Sequence, residues 1–238
     1  MNNKKTALVT GGAKGIGEAI CRALSRDGFY LLIHCNSSIE EAKMLCEELG
    51  NAEIIRADLT SPEAVDIITN GRSAPDVIIN NAGIPLVSLF DEPKDDILRK
   101  MYEINLFAPM NIARRFLPEM IRRKSGVIIN ISSIFGQVGG SCEVDYSTAK
   151  AGLIGFTKAL AKEVGPSGIR VNCVCPGIID TDMNGNLDFD DIEAICDEIP
   201  LSRMGEADEV AECVSFLVSD KAKYITGSVF DVNGGWNG

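Results

Sequence analysis

Histidine and tryptophan are almost absent from this chain of 238 residues, which contains one of each. The eight cysteines form no Cys-x-x-Cys pair, and the single histidine, His34, stands at no zinc-ligand spacing from any of them. A zinc site is therefore not expected. Most of the cysteines are expected to be small buried hydrophobic residues.

Positive charge and long hydrophobic runs are also scarce. The chain has 23 Lys and Arg against 34 Asp and Glu, which gives a net charge of −11. Because nucleic-acid phosphates repel such a surface, a nucleic-acid-binding protein is disfavoured. The apolar stretch after the first lysines is short and no later run is long enough for a bilayer, so neither a signal peptide nor a membrane span is expected. The cytoplasm, which keeps cysteines reduced, is the expected location.

Strand and helix patterns alternate along the chain. Strand patterns lie at residues 6–10, 30–35, 53–57, 76–80, 127–131, 170–175 and 228–232. Helical patterns lie at 17–26, 146–164 and 207–218, and 94–124 holds two, one ending near 105–106 and one over 111–123 with a kink at Pro118. A short helix is predicted from Pro62, capped by Thr60 or Ser61.

This alternation predicts one Rossmann-type, doubly wound α/β domain over residues 1–238. We expect about seven parallel strands with helices on both faces of the sheet. The acidic segment at about 178–200 is less regular and is interpreted as a mobile lid over the substrate.

A glycine-rich loop joins the first strand to the first helix, with the sequence Thr-Gly-Gly-Ala-Lys-Gly-Ile-Gly over residues 10–17. A strand, a glycine loop and a helix in this order are typical of dinucleotide binding. Gly11 and Gly15 allow the backbone to approach a diphosphate, and the helix N-terminus stabilises its negative charge. The spacing is Gly-x-x-x-Gly-x-Gly rather than Gly-x-Gly-x-x-Gly.

The end of the second strand indicates which coenzyme would bind. A carboxylate there would accept hydrogen bonds from a ribose 2′-hydroxyl and repel a 2′-phosphate, but this chain has Cys35. Asn36, Ser37 and Ser38 follow, and Lys14 adds a cation, so the pattern favours NADP(H). Ser38 also suits a helix N-cap with a glutamate at the capping-box position, and both interpretations can hold together.

Residues 133–150 contain three groups suited to acid–base chemistry. Tyr146 and Lys150 lie four positions apart at the start of a predicted helix, so their side chains share one face. An ammonium near a phenol favours the phenolate. For the tyrosine to act as an acid or base near neutral pH, its pKa must fall by roughly 3 units, about 4 kcal/mol. Ser133 follows a strand, where its hydroxyl can hold a carbonyl oxygen while Tyr146 protonates it. Alone, a Tyr/Lys pair is more often an ordinary helix surface.

Other small or polar segments also follow predicted strands. Asn-Asn-Ala-Gly occupies 80–83, for which an ordinary turn is the alternative, and Pro176 and Gly177 end another strand. Because ligands bind beyond the carboxyl ends of parallel strands, these segments are expected to meet the glycine loop and Ser133 at one sheet edge. Asn105 is interpreted as a local helix distortion or a satisfied polar group in the core.

Together, these motifs resemble the short-chain dehydrogenase/reductase family over essentially the whole chain. The matching motifs are the loop at 10–17, Asn-Asn-Ala-Gly at 80–83, Asn105, Ser133, Tyr-Ser-Thr-Ala-Lys at 146–150 and Pro-Gly at 176–177. The resemblance implies a catalytic tetrad of Asn105, Ser133, Tyr146 and Lys150. Tyr146 would donate the proton, and Lys150 would lower the pKa of Tyr146 and contact the nicotinamide ribose. Ser133 would orient the carbonyl oxygen, and Asn105 would position a water in a proton relay.

The resemblance also implies a coenzyme site along the same edge. Asp58 and Leu59 match the adenine-contacting position, while Ile179 and Thr181 match the segment that contacts the carboxamide. The coenzyme-binding residues expected are Gly11, Ala13, Lys14, Gly15, Ile16, Gly17, Asn36, Ser37, Ser38, Asp58, Leu59, Asn81, Ala82, Gly83, Tyr146, Lys150, Pro176, Gly177, Ile179 and Thr181.

Within the family, residues 200–236 resemble the 3-oxoacyl-[acyl-carrier-protein] reductases of fatty-acid synthesis. This implies reduction of a ketone by the pro-S hydride of NADPH, and a homotetramer packed through the helices at 105–124 and 146–164. The chain differs from the usual pattern of these reductases in two segments, which puts the substrate in question. The segment 58–80 is short, and Ile-Pro-Leu stands at 84–86 where an Ile-Thr-Arg-like run is usual. The alternatives are a dehydrogenase of a sugar, polyol, steroid or other small alcohol or ketone, and a non-catalytic dinucleotide-binding sensor.

An acyl carrier protein would be an acidic partner, so its docking needs a basic surface. Arg114, Arg115, Arg122, Arg123 and Lys124 offer one. The alternative is a solvated helix end whose cations complement the helix dipole. The acidic residues over 180–198 would disfavour such a partner on their side of the molecule.

Overall fold

A computed structural model describes residues 4–185 and 189–236. Seven parallel strands form one sheet in the order β3-β2-β1-β4-β5-β6-β7, which confirms the predicted Rossmann-type, doubly wound fold. The chain order reverses between β1 and β4, the position at which such sheets bind dinucleotides. The strands are β1 Thr6–Val9, β2 Tyr30–Cys35, β3 Ala52–Arg56, β4 Val77–Asn80, β5 Gly126–Ile131, β6 Ile169–Pro176 and β7 Val229–Val232.

Helices connect the strands over most of the chain. Short 3₁₀ turns occupy Gly165–Ser167, Asp182–Asn184 and Asp220–Ala222, and one π-helical turn occupies Glu103–Phe107. The α-helices are α1 Gly15–Arg26, α2 Ile39–Leu49, α3 Ala64–Thr69, α4 Asp95–Tyr102, α5 Ala108–Arg123, α6 Phe135–Val138, α7 Val144–Val164, α8 Phe189–Glu198 and α9 Ala207–Val218.

The sheet separates two buried clusters because successive strand side chains point to opposite faces. Ala7 and Val9 of β1 pack in the cluster that contains Leu24 of α1 and further residues of α9. Leu8, between them, packs in the other cluster against residues of α5 and α7, such as Ile112. Covering both faces in this way leaves the carboxyl edge of the strands for the site.

The helix boundaries differ from the predictions in three places. The first helix begins at Gly15 rather than at residue 17, and α3 begins at Ala64 rather than Pro62. The two helices predicted within 94–124 are continuous, because the π-helical turn joins α4 to α5 without a break. Pro118 lies inside α5.

The acidic segment at 178–200 is more regular than predicted. It contains α8, in which Ile192, Ile195 and Cys196 are half-buried, and Ile199 beyond it is buried. Apolar residues at these intervals form one face of a helix, a pattern hidden in the sequence by the acidic residues between them. Asp188 of the predicted lid lies outside the described residues.

All eight cysteines are free thiols. Cys21, Cys35, Cys173 and Cys175 are buried while the other four are partly exposed, so the prediction of buried cysteines holds for half of them. In the described part of the chain, no group of side chains could hold a metal ion, and no helix is long and apolar enough to cross a membrane.

Candidate active site

The glycine loop forms a cradle of bare backbone between β1 and α1. Gly11 and Gly15 have positive φ angles of 62° and 53°, a region that favours glycine. A Cβ at Gly17 would lie 2.1 Å from the carbonyl oxygen of Gly11, so no side chain fits there. The first turn of α1 has N–H groups without partners inside the helix, which suits a diphosphate.

Thr10 and Asn81 join the loops that follow β1 and β4. The Thr10 hydroxyl accepts hydrogen bonds from the N–H groups of Asn81 and Ala82, both at 3.0 Å, and donates to the Ile79 carbonyl at 3.3 Å. The Asn81 amide donates to the carbonyl oxygens of Thr10 at 3.0 Å and Gly11 at 3.2 Å. The segment at 80–83 is therefore fixed to the glycine loop, a role that an isolated turn would not have.

His34 supports the glycine loop from within the sheet. The N–H of Gly11 donates to its Nδ1 at 3.2 Å, and its Nε2 lies 3.1 Å from the carbonyl oxygen of Ala57. Nε2 must carry the proton for both bonds to form. Burial lowers the pKa of His34 to about 4, so the ring is neutral at physiological pH. No sequence motif indicates this contact.

Tyr146 and Lys150 lie one turn apart in the first half of α7. The Lys150 Nζ is 5.6 Å from the centroid of the Tyr146 ring and donates a hydrogen bond to the Ile131 carbonyl at 3.0 Å. Lys150 is only 4% exposed, and burial lowers its pKa to about 8. Ser133 follows β5, as the sequence predicted, and it is buried beside them.

The pKa of Tyr146 runs against the expectation that Lys150 would lower it. Burial of the phenol, together with the smaller effect of the Glu143 carboxylate, raises this pKa to about 12, although a hydrogen bond with Ser133 acts in the opposite direction. Desolvation is the largest effect because the charged phenolate is the form that burial disfavours. The protein's own side chains thus keep Tyr146 protonated, the form that donates a proton.

Asn105 lies in the π-helical turn and is fully buried. Its amide donates to the Ile84 carbonyl at 2.9 Å, and its Oδ1 accepts from the Ile84 N–H at 3.0 Å. Both sequence interpretations therefore apply, a helix distortion and a satisfied polar group. A Cβ on Gly83 would lie 2.8 Å from Asn105 Oδ1 and 3.3 Å from Lys150 Nζ, so Asn105 and Lys150 approach the same point of the backbone.

Most predicted site residues surround one cavity of about 270 Å³ at the carboxyl edge of the sheet. Ala13 and Asn105 are buried outside this cavity: Ala13 packs in a cluster with Cys35, and Asn105 is fully buried. The predicted residues that line the cavity are Gly11, Lys14, Gly15, Ile16, Gly17, Asn81, Ala82, Gly83, Ser133, Tyr146, Lys150, Pro176, Gly177, Ile179 and Thr181. The predicted residues outside it are Ala13, Asn36, Ser37, Ser38, Asp58, Leu59 and Asn105.

The predicted capping box at α2 is wrong. Ser38 occupies the N-cap position, but its side chain makes no capping hydrogen bond. Glu41 instead pairs with Lys14 at 2.8 Å, and Asp182 lies 3.9 Å from the same ammonium. A capping box would need the Glu41 carboxylate to bond to the Ser38 backbone. That carboxylate pairs with Lys14 of the glycine loop instead.

Arg56 is a cation near the end of β2 that the sequence motifs did not predict. It ends β3, is exposed, and donates from Nε to the Asn36 carbonyl at 3.3 Å. Asp58, two residues on, accepts hydrogen bonds from Thr60, which lower the pKa of its carboxyl. A lone arginine at a strand end matches no motif, so only the strand register, which places Arg56 beside Cys35, could have shown it.

A second cavity of about 340 Å³ adjoins the first one, and Ser133, Tyr146, Gly177 and Met183 line both. Trp236 closes it in edge-to-face contact with Phe135, with ring centroids 5.7 Å apart. The residues lining this second cavity are Pro85, Val87, Ser133, Ile134, Phe135, Glu143, Tyr146, Gly177, Ile178, Met183, Ile195 and Trp236.

A backbone cradle lies at the switch point of the sheet, beside buried Ser133 and Lys150 and half-buried Tyr146. This arrangement defines a nicotinamide-dependent oxidoreductase that acts on CH–OH or C=O groups. The sequence profile of the short chain dehydrogenase family matches residues 5–191. The chain belongs to that family.

Three known proteins show how far the similarity extends. The chain is 43% identical to the uncharacterized oxidoreductase YmfI of Bacillus subtilis, over 98% of this chain and 99% of that protein. It is 37% identical to the 3-oxoacyl-[acyl-carrier-protein] reductase FabG of Staphylococcus aureus, over 99% of both. A solved structure of a candidate NAD(P)-dependent gluconate 5-dehydrogenase from Beutenbergia cavernae, with NADP at low occupancy, has a TM-score of 0.93 and 31% identity, over 98% of this chain and 96% of that one.

Proposed function

We propose that this protein reduces a 3-oxoacyl thioester to the 3-hydroxyacyl thioester with NADPH, in fatty-acid synthesis. The observation that carries the proposal is the apolar second cavity, which meets the first cavity at Ser133 and Tyr146. An acyl chain suits such a lining, and the ketone of a bound chain would lie at the junction. The similarity to FabG supports the same reaction.

The residues of the chain divide the chemistry between them. A bound NADPH supplies the hydride for the ketone carbon. Tyr146 donates its proton to the ketone oxygen, and the Ser133 hydroxyl holds that oxygen in place. Lys150 holds the ribose and adds positive charge beside the phenol, while Asn105 fixes the backbone at Ile84 and supports the relay that returns a proton to Tyr146.

The preference for NADPH over NADH rests on the edge near β2. Residues 35–38, at the end of β2, include no carboxylate. Arg56 lies against the Asn36 backbone, where a 2′-phosphate would approach. The ion pair of Lys14 with Glu41 opposes this preference, since the phosphate must compete with Glu41 for the ammonium. The phosphate carries more charge than a carboxylate, and we expect it to prevail with help from Arg56.

An acyl carrier protein is the carrier that we propose, and the basic surface at the end of α5 supports its docking. Three of its five cations have structural partners: Arg114 donates to the Asn111 side chain, Arg115 pairs with Asp66 at 3.0 Å, and Arg123 donates to the Ala74 carbonyl at 2.6 Å. Arg122 and Lys124 are exposed at the end of the helix. These two are the residues that we expect to bind the acidic carrier.

Oxidation or reduction of a sugar acid is the rival activity, suggested by the similarity to the gluconate dehydrogenase structure. The second cavity has no lysine, arginine or histidine among its described lining residues. A sugar acid would therefore meet apolar walls and no counter-charge for its carboxylate.

The test is the rate of NADPH oxidation with acetoacetyl thioesters of acyl carrier protein, of coenzyme A and of a small thiol, beside 5-ketogluconate. We expect the carrier-protein thioester to react fastest and 5-ketogluconate hardly at all. Exchanging Arg122 and Lys124 for Glu should slow only the carrier-protein substrate. Faster reduction of 5-ketogluconate than of every thioester would contradict the proposal.

A homotetramer is the assembly that we propose. The outer face of α7 has the small exposed residues Ala151, Gly155 and Ala159, which allow a second helix to approach closely. On the neighbouring elements, Phe107 and Ile121 are large apolar residues exposed by 46% and 41%. Such surfaces are typical of contacts between copies of a chain.

A further inference from the structure

Glu143 is the one carboxylic acid among the described residues that line the second cavity. It precedes α7 as the N-cap residue, three positions before Tyr146. Its side chain is half-buried and makes no hydrogen bond or ion pair with another described residue, and its backbone alone bonds to Gly140 and Ser147. An acidic group without a partner in an apolar cavity is costly for folding, which suggests a role in ligand selection.

The surroundings of Glu143 do little to screen its charge. Nine of the described lining residues are apolar or aromatic, and one of these nine, Tyr146, is the only other titratable group among them. Tyr146 already senses this carboxylate, because the Glu143 charge helps to raise the phenol's pKa. A charged ligand group in the same cavity would interact with it at similarly short range.

We propose that Glu143 is a specificity-determining residue that excludes anionic ligands from the second cavity and leaves it to neutral ones. Two negative charges about 6–8 Å apart in a partly dry site repel by roughly 2–3 kcal/mol, about 30- to 150-fold in affinity. Neutral esters, thioesters and amides escape this repulsion, whereas free keto acids and sugar acids do not. The inference rests on the proposed function in placing the substrate's ketone at Tyr146.

Trp236 gives a measurement of binding that needs no turnover. It is the only tryptophan of the chain and lies in the wall of the second cavity, so its fluorescence reports occupancy there. Hexanoate and hexanamide form a matched pair that differs in charge but hardly in shape. Titrations with both would compare the wild type, Glu143→Gln, and the control Glu163→Gln, an exposed position on the outside of the same helix.

We expect the wild type and Glu163→Gln to bind hexanamide at least about tenfold more tightly than hexanoate, and Glu143→Gln to bring the two affinities within about threefold. An unchanged affinity ratio in Glu143→Gln would overturn the inference. A fluorescence that responds to neither ligand would overturn it too, since the cavity would then bind no such molecule.

Turnover of a second matched pair separates this inference from the proposed function. Ethyl acetoacetate and acetoacetate present the same ketone with and without a negative charge. The ratio of their kcat/KM values should fall at least about tenfold in Glu143→Gln relative to the wild type. If fluorescence shows the charge selection and neither ketone is reduced by any variant, the proposed function fails while the role of Glu143 stands.

Discussion

At the scale of single residues, His34 couples the sheet to the glycine loop through the Gly11 N–H. Its pKa is about 4 in the folded protein against an ordinary value of 6.5. Between these values the unfolded chain binds a proton that the folded chain does not. Stability therefore falls as the pH is lowered through this window, by up to roughly 3 kcal/mol.

Exchanging His34 for Asn should remove most of that pH dependence, because an amide oxygen can accept from Gly11 and cannot titrate. The free energy of unfolding in urea would be measured at pH 7.5 and pH 5 for both proteins. We expect the variant to be less stable at pH 7.5 and to lose less stability on going to pH 5. An equal loss in both proteins would show that His34 does not cause the acid sensitivity.

Arg56 is the residue that we expect to distinguish the coenzymes. In the proposed site, exchanging it for Gln would remove a charge-assisted contact to the 2′-phosphate. We therefore expect NADPH binding to weaken by about tenfold or more and NADH binding to stay nearly unchanged. Dissociation constants from coenzyme fluorescence would test this, with Arg99→Gln, an exposed site on α4, as the control. Equal losses for NADPH and NADH would place the role of Arg56 elsewhere.

At the scale of elements, the π-helical turn between α4 and α5 is the feature most closely connected to the site. Such single turns often occur at functional positions. Here the turn places the Asn105 amide against Ile84, directly after the Gly83 backbone that Lys150 also approaches. The distortion of one helix thus sets the position of the loop after β4.

Asn105→Ala should leave both backbone groups of Ile84 without partners. We expect a loss of about 2–5 kcal/mol in the free energy of unfolding and a fall in kcat that exceeds the change in NADPH affinity. Asn111→Ala, a half-buried site in the next turns of the same helix, is the matched control. If the two variants are equally stable, the Asn105–Ile84 bonds do not hold the loop.

The sequence was sufficient for the sheet and for most of the cavity, because both depend on local patterns. The strands are apolar runs, and the residues around the cavity follow them directly, as Gly11, Asn81, Ser133 and Gly177 do. Long-range contacts could not be predicted in the same way. The pair between Lys14 and Glu41, the support from His34 and the closure by Trp236 join distant parts of the chain. The pKa of Tyr146 depends on burial, which the sequence does not specify.

At the scale of the whole molecule, assembly can be tested without disturbing the fold. No atom outside the helix backbone lies within 4 Å of a Cβ at Gly155, on the outer face of α7. Gly155→Arg should therefore fold normally and break a tetramer that packs through this helix, in contrast to Gly165→Arg, which is equally open but lies beyond the helix end. Sedimentation should show four chains for the wild type and the control, and fewer for Gly155→Arg. A monomeric wild type would contradict the proposed assembly.

The protonation of a ketone by Tyr146 is the central claim, and its most direct test compares turnover and coenzyme binding in Tyr146→Phe. The variant loses only the hydroxyl of Tyr146, a residue that lines both cavities. We expect the rate of NADPH oxidation with an acetoacetyl thioester to fall by about a thousandfold or more, while the NADPH dissociation constant changes by less than about threefold. Turnover that survives in Tyr146→Phe would remove Tyr146 from the reaction and contradict the account.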